Sequence, residues 1–302
     1  MFRILIFPLI FLKNKTPRII RDHLGYFLIL PTIFSIGVMF AGLVYLSYLS
    51  FQTYDTFQRF VPIPTIENYI KTIFTYGSQI TFLRTFYLSL LVTVTSVILG
   101  IPYAYYVVRT HSPTIQKILI ISILIPFFTG DVIKAYGWLV ILGKTGLLGW
   151  ITERIFGTTL SLINTPPAVF IGLLQLLLPL SILIIVPSVA TLNRELEMAA
   201  QNLGATPFQS FIKVVLPLIK PGILGAFIVS FTIAVTEYAA PDLLGGGVNK
   251  FVANFTYMIM FNAVNYPYAA AMSIFLTLIV SIIVYIILKI GKIGNIFIRG
   301  IR

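Results

Sequence analysis

The sequence predicts an all-α, polytopic membrane protein with six transmembrane helices. Three observations carry that reading. The 302-residue chain is 58% hydrophobic and only 10% charged, where a soluble domain carries roughly 25% charged residues. Its mean hydropathy is +0.98, more apolar surface than a water-soluble core of this size could hide, so the bilayer is the solvent for much of the chain. Finally, six stretches each reach the about 20 mostly apolar residues that a crossing helix needs. They are residues 26–49, 83–108, 118–142, 168–189, 223–244 and 269–290.

The elements follow in order. Residues 1–12 are apolar with a single Arg3. No small-x-small cleavage site follows, and Lys13, Lys15, Arg18 and Arg21 would stall translocation, so an amphipathic arm on the inner leaflet is preferred to a signal peptide. The arm runs over 1–25, and the first span and an external loop over 26–80. Pro62-Ile63-Pro64 breaks that loop, and Thr65-Ile66-Glu67-Asn68-Tyr69 starts a short surface helix. The core covers 81–290. In the third span, Pro126 and Gly130 loosen the helix just before Asp131 and Lys134. A polar segment, 190–222, separates the fourth and fifth spans. The fifth ends at Gly245-Gly246-Gly247. A tail, 291–302, follows the sixth.

Basic residues set the orientation, because Lys and Arg are retained on the cytoplasmic side. Fourteen of the twenty-one fall on one side: Arg3, Lys13, Lys15, Arg18 and Arg21 in the arm, Arg109 and Lys117, then Arg194, Lys213 and Lys220, and Lys289, Lys292, Arg299 and Arg302 at the end. Both termini and the 190–222 segment are expected in the cytoplasm. The net charge of +12 is thereby a matter of topology. No basic stripe is interleaved with aromatics on a soluble element, which argues against nucleic acid as a partner.

Enzyme chemistry finds little support. The two histidines, His23 and His111, sit in basic flanks beside spans and read as polar anchors. Nothing resembles a metal cluster or a Ser-His-Asp set, and the absence of cysteine removes disulfides and thiolate sites. Gly143-Lys144-Thr145 lacks the glycine that a phosphate loop places five residues earlier, since position 138 is Trp. No cofactor is expected on this chain.

Charges inside spans are more telling, because an ionisable group in the bilayer is costly unless paired or wet. Asp131 and Lys134, spaced i, i+3, can pair with each other or line a translocation path. Glu237 and Asp242 flank Tyr238 and Pro241 in the outer half of the fifth span, as interfacial anchors or as cavity acids. Tyr136 and Trp138 are candidate path residues or members of an aromatic belt.

The polar segment reads as two short helices. Asn193 is the expected N-cap of the first, with Glu195 and Glu197 in its first turn where the helix dipole favours acids. Gly204 stops it in a left-handed cap. Thr206 caps the second, with Pro207 at its first position. Phe208, Phe211, Ile212 and Val215 recur at helical spacing, and Pro217 is expected to end the helix. A short helical pair exposed between two spans suits docking of a soluble partner.

This segment resembles the "EAA" loop of ABC-importer permeases. Ala199, Ala200, Gly204, Leu216 and Pro217 fall in the family's register, while Met198 stands where the family has Glu and Glu197 lies one residue earlier. The resemblance spans about 81–289, the core of the type I importer fold, with 26–49 as an added first span. It implies that Glu195, Glu197, Met198, Ala199, Ala200, Gly204, Ala205, Thr206, Pro207, Phe208, Leu216 and Pro217 dock a cytoplasmic ATPase, with Glu197 one rim contact. Two ATPase subunits carrying ATP and Mg, a second permease and an external binding protein are the implied partners. Ile125-Pro126-Phe127-Phe128, Tyr136-Gly137-Trp138, Gly146-Leu147-Leu148, Thr236-Glu237-Tyr238-Ala239-Ala240-Pro241-Asp242 and Tyr266-Pro267-Tyr268-Ala269 are similar to stretches of the spermidine/putrescine permeases. Branches that carry iron, thiamine, opines, phosphonates or sulfate have similar permeases. A secondary transporter working without ATP is the rival from another class; such folds show matched halves with broken helices in each, and neither the polar segment nor Pro126–Gly130 recurs in the sequence.

Overall fold

The computed structural model describes residues 18–299. The arm over 1–12 lies outside the described residues, as do the last three residues of the tail. The described chain is helical apart from one small hairpin. Helix α1 (Arg18–Ser50) leads into strands β1 (Gln52–Thr53) and β2 (Val61–Pro64), then α2 (Glu67–Phe74) and α3 (Tyr76–Arg109). Next come α4 (Pro113–Phe128), α5 (Asp131–Leu142), α6 (Leu147–Phe156), α7 (Pro166–Ala190) and α8 (Glu195–Asn202). Then α9 (Pro207–Ser210) continues through a π turn, Phe211–Val215, into α10 (Leu216–Leu218). The remainder is α11 (Lys220–Thr236), α12 (Ala239–Gly245), α13 (Val252–Tyr257), a second π turn, Met258–Asn262, and α14 (Tyr266–Arg299).

Among the described residues, five helical segments are long and apolar enough to cross a membrane, and a sixth crossing counts when Pro207–Leu218 and Lys220–Thr236, bent by 67°, form one broken span. Two expectations change. The third hydrophobic stretch is not one helix over 118–142. It splits into α4 and α5, because Thr129 and Gly130 are extended (ψ 134° and 143°). The 16-residue α4 is about 24 Å long, short for a full crossing, while Asp131–Phe156 has the apolar length to cross. The fifth stretch breaks as well: Glu237 is extended at ψ 137°, and the chain restarts as α12. The last crossing stretch is Tyr266–Gly291, and its helix, α14, continues to Arg299. In the loop after α1, Val61–Pro64 forms a strand paired antiparallel with Gln52–Thr53, and the expected short helix is α2. Buried Asn68 ties it down by donating to Ser50 O (3.0 Å) and Gln52 O (2.8 Å).

The core is built on α3 lying along α7, with α11 beside both. At one end, Leu88, Val92, Leu173 and Leu177 pack with Ala240 and Leu244 of α12. At the other, Val97, Ala104 and Val107 pack with Ile182, Ile185 and Val189, and with Val215 and Ile219 of the polar segment. A third cluster joins Phe82 and Phe231 to Met272 and Leu276 of α14. In lipid there is no hydrophobic drive between helices, so small residues and hydroxyls take over at the contacts. Ser181 Oγ lies 3.1 Å from Ser96 Oγ and 2.9 Å from Ser230 Oγ, linking α7, α3 and α11. Helix α1 packs against α14 and leaves most of its apolar face exposed, as a span bordered by lipid would.

Candidate functional site

Two places concentrate polar chemistry. The first is the segment between α7 and α11. Asn193 is not the N-cap of α8: Arg194 holds that place without a side-chain cap, and Asn193, one residue earlier, closes a local turn in which its Oδ1 accepts from Glu195 N at 3.0 Å. Gly204 has φ +90°, the left-handed region that glycine enters without a Cβ penalty. A Cβ there would meet nothing within 4 Å, so the requirement is conformational rather than steric. Thr206 and Gln209 form a reciprocal capping box, with Gln209 N donating to Thr206 Oγ1 (3.2 Å) and Thr206 N donating to Gln209 Oε1 (3.1 Å). Pro217 does not end the second arm. It has no N–H to give, and the turn before it widens so that Leu216 N donates five residues back, to Phe211 O. The helix reaches Leu218, and the 67° bend falls at Ile219.

The segment carries an exposed apolar surface. Leu203 is 90% exposed and Phe208 70%, with Leu196, Met198 and Ile212 also exposed. Glu195, Ala199, Thr206, Pro207 and Pro217 are exposed too, whereas Ala200, Ala205 and Leu216 are half-buried. Leu196 and Leu203 are not singled out by the sequence pattern. An apolar residue on an otherwise polar helix, directly before the capping glycine, is the available signal for Leu203.

Glu197 departs from its expected place at the rim. Its side chain is 6% exposed and turned inward onto α3. Arg109 Nη2 lies 2.6 Å and Nε 2.8 Å from Glu197 Oε1, and Tyr105 OH donates to Oε2 at 2.6 Å. A carboxylate in the first turn of one short helix thus satisfies a guanidinium at the end of a long one. In the sequence Arg109 reads only as a topology marker, and Tyr105 carries no signal at all.

The second place is a small cavity where the two broken spans meet. Asp131, Lys134 and Glu237 line it together with Gly172, Leu176 and Ala240. Lys134 Nζ stands 2.7 Å from Asp131 Oδ1, so the i, i+3 pair forms. Asp131 is the first residue of α5, where the helix dipole favours an anion. Glu237 lies in the break before α12 and accepts from Ala239 N at 3.1 Å. The close approach of α12 to α7 depends on Gly172, where a Cβ would come 2.5 Å from Leu244 Cδ1. Irregular backbone at membrane depth is tolerated where it is buried in protein or lines a cavity, and both breaks border this one.

The other candidate path residues lie outside that cavity's lining. Trp138 donates its indole N–H to Gln175 Oε1 and packs on the cluster of Leu88, Leu173 and Leu244. Tyr136 is exposed. Tyr238 faces Tyr257 with ring centroids 5.4 Å apart. Asp242 is exposed and receives Asn254 Nδ2 at 3.5 Å, while the same amide donates to Tyr238 O at 2.9 Å. Asn254, buried between them, has no signature in the sequence that marks it for this place.

Apolar spans, a projecting helical pair between two of them, and paired charges at helix breaks define a polytopic transport permease. The chain belongs to the family of binding-protein-dependent transport system inner membrane components, whose profile matches residues 81–290. It is 30% identical over 285 residues to the spermidine/putrescine transport system permease protein PotB of Haemophilus influenzae, covering 94% of this chain and 95% of that one. It is 30% identical over 284 residues to the inner membrane ABC transporter permease protein YdcU of Escherichia coli K12, covering 89% and 90%. The fold matches a chain of a bacterial ABC transporter involved in import of the acidic polysaccharide alginate, with TM-score 0.76 at 18% identity, over 90% of this chain and 96% of that one. It matches that transporter in complex with an alginate-bound periplasmic protein at TM-score 0.74 and 19% identity, over 93% and 96%. The chain is therefore a multi-pass inner-membrane permease subunit of a type I ABC importer, a family in which ATP hydrolysis belongs to other subunits.

Proposed function

We propose that this permease moves a polyamine such as spermidine or putrescine into the cell. The observation that carries the reading is likeness to a spermidine/putrescine permease along nearly the whole of both chains. The cavity at the helix breaks supports it: two carboxylates, Asp131 and Glu237, face one ammonium, Lys134, and a cationic substrate is favoured where acids outnumber bases. Both termini and the 190–222 segment lie in the cytoplasm, following the basic residues. A second permease, similar or identical, completes the pathway. Two ATPase subunits, which hold ATP and Mg, dock on the face formed by Leu196, Met198, Leu203 and Phe208. An external binding protein delivers substrate to the outer loops. ATP binding draws the docking segments together and opens the spans outward, and hydrolysis returns them.

The test is uptake of labelled spermidine and putrescine into proteoliposomes holding the permease pair, the ATPase and the external binding protein. Uptake should require ATP and the binding protein. ATP-dependent uptake of a different solute, with none of either polyamine, would replace the substrate and leave the importer class intact.

A further inference from the structure

We propose that the Glu197–Arg109 pair is a strut that makes the docking segment move as one body with helix α3, so that Glu197 is a positioning residue for coupling rather than a contact to the ATPase. This rests on the reading that the segment docks an ATPase. The carboxylate has little left to offer a partner. Oε1 is held by two guanidinium nitrogens, Oε2 by the Tyr105 hydroxyl, and the side chain is 6% exposed.

The same end of α3 holds the segment at further points. Arg109 Nη2 donates to Leu192 O at 3.0 Å, at the segment's entry. The Tyr105 ring packs edge-on against Phe211 of the second arm, centroids 4.9 Å apart. Ser210 Oγ donates to Glu197 O at 3.3 Å, joining the second arm to the first. Entry, first arm and second arm are thus all fastened to one helix end. The chain's own route out of the segment is a 67° bend at Ile219, a poor transmitter of force along an axis. Helix α3 is a better one. It runs 34 residues, and its Leu88 and Val92 pack in the cluster that contains Ala240 and Leu244 of α12, the helix that backs the charged cavity. Displacement of the exposed knob therefore reaches the broken spans through α3.

The experiment uses the assembled importer in proteoliposomes. Glu197→Gln, the double variant Glu197→Gln with Arg109→Gln, and Phe208→Ala as a docking control are compared for ATPase co-purification and for labelled spermidine taken up per ATP hydrolysed. The chain has no cysteine, so spin labels at Asn202→Cys and Tyr106→Cys, both exposed positions, report the distance between knob and helix end. The strut predicts that both Gln variants keep the ATPase within about twofold, broaden the label distance and lower uptake per ATP by about tenfold, a shift of ordinary coupling size. Phe208→Ala should lose the ATPase.

Loss of the ATPase in Glu197→Gln as severe as in Phe208→Ala would make Glu197 a partner contact and overturn the strut. So would wild-type coupling in the double variant, since the pair would then only neutralise a buried charge. Unchanged coupling in both Gln variants overturns it as well. If Phe208→Ala keeps its ATPase, the docking reading fails by itself. The strut is then judged by the label distance, and a distribution in Glu197→Gln as narrow as in the wild type sinks it.

Discussion

Lys134 Nζ stands 2.7 Å from Asp131 Oδ1, yet the lysine side chain is 6% exposed and the aspartate 50%. The two ends of this pair are not equivalent. The ammonium has three donors to satisfy, and among the described residues it makes no hydrogen bond of good geometry; Asp131 is its salt-bridge partner, while Glu237 lines the same cavity without pairing to it. Asp131→Asn leaves a buried cation unpaired, a change that costs about 3–5 kcal/mol in a fully buried pair and less here, about 2 kcal/mol, because half of the carboxylate is already in contact with solvent. Replacing both residues, Asp131→Asn with Lys134→Met, removes the unpaired state. Complex yield and thermal stability in detergent should fall more in Asp131→Asn than in the double variant. Additive losses in the double variant would show that the contact contributes nothing.

Glu237 shares the cavity but has no ion pair among the described residues. Its carboxylate is anchored on backbone at the start of α12, accepting from Ala239 N at 3.1 Å, which a Gln side-chain carbonyl can also do. Glu237→Gln should therefore keep complex yield near wild type while polyamine uptake drops by about tenfold or more, since a neutral amide no longer offsets a substrate ammonium. Equal loss of yield and uptake would assign Glu237 to assembly.

Much of the architecture was legible because hydropathy and basic residues speak directly to the bilayer. Thr206 and Gly204 were legible as well: a cap and a left-handed turn are local, and their chemistry is written in adjacent residues. Pro126 and Gly130 mark a weak point in the third stretch, but hydropathy places neither the full break at Thr129-Gly130 nor the one at Glu237, because an apolar run reads the same whether one helix or two passes through it. Their meeting in space, which sets Asp131, Lys134 and Glu237 around one cavity, depends on Gly172 letting α12 approach α7, a tertiary fact without a local signature. The inward turn of Glu197 was hidden for the same reason, since Arg109 is far away in sequence and reads equally well as a positive-inside residue.

The assignment of sides rests on the basic residues and is separable from everything else. A reporter fused after Arg302 should read as cytoplasmic, and one inserted near Val61, in the β1–β2 hairpin region, should read as external. Insertion at the exposed turn between the strands is preferable to α2, whose Asn68 ties it to the end of α1. An external C-terminus would invert the orientation and move the Leu203 and Phe208 face away from any cytoplasmic ATPase.

The second arm of the 190–222 segment depends on its cap. Thr206 Oγ1 accepts from Gln209 N, and Pro207 has no N–H to satisfy. Thr206→Ala removes one of the few side-chain acceptors at this helix start and should cost about 1 kcal/mol. The effect is local, so ATPase co-purification should weaken by about fivefold, one such increment of free energy, with span insertion unchanged. Thr206→Ser should restore it.

Gly204 sets the angle between the two arms. At φ +90° any residue with a Cβ is strained by about 1–2 kcal/mol, and since a Cβ on Gly204 would have nothing within 4 Å, no clash adds to that figure. The strain is relieved by rotating the backbone, which reorients Leu203 on one side against Phe208 on the other, the two most exposed apolar side chains of the knob. Gly204→Val should therefore leave the spans inserted but sharply reduce ATPase co-purification and substrate-stimulated ATP turnover. Gly204→Asn, which tolerates the left-handed region better, should fall between the two. If steric volume rather than backbone conformation were decisive, Asn and Val would be equally damaging. If Gly204→Val retained full association and turnover, the knob formed by these two arms would not be the docking surface.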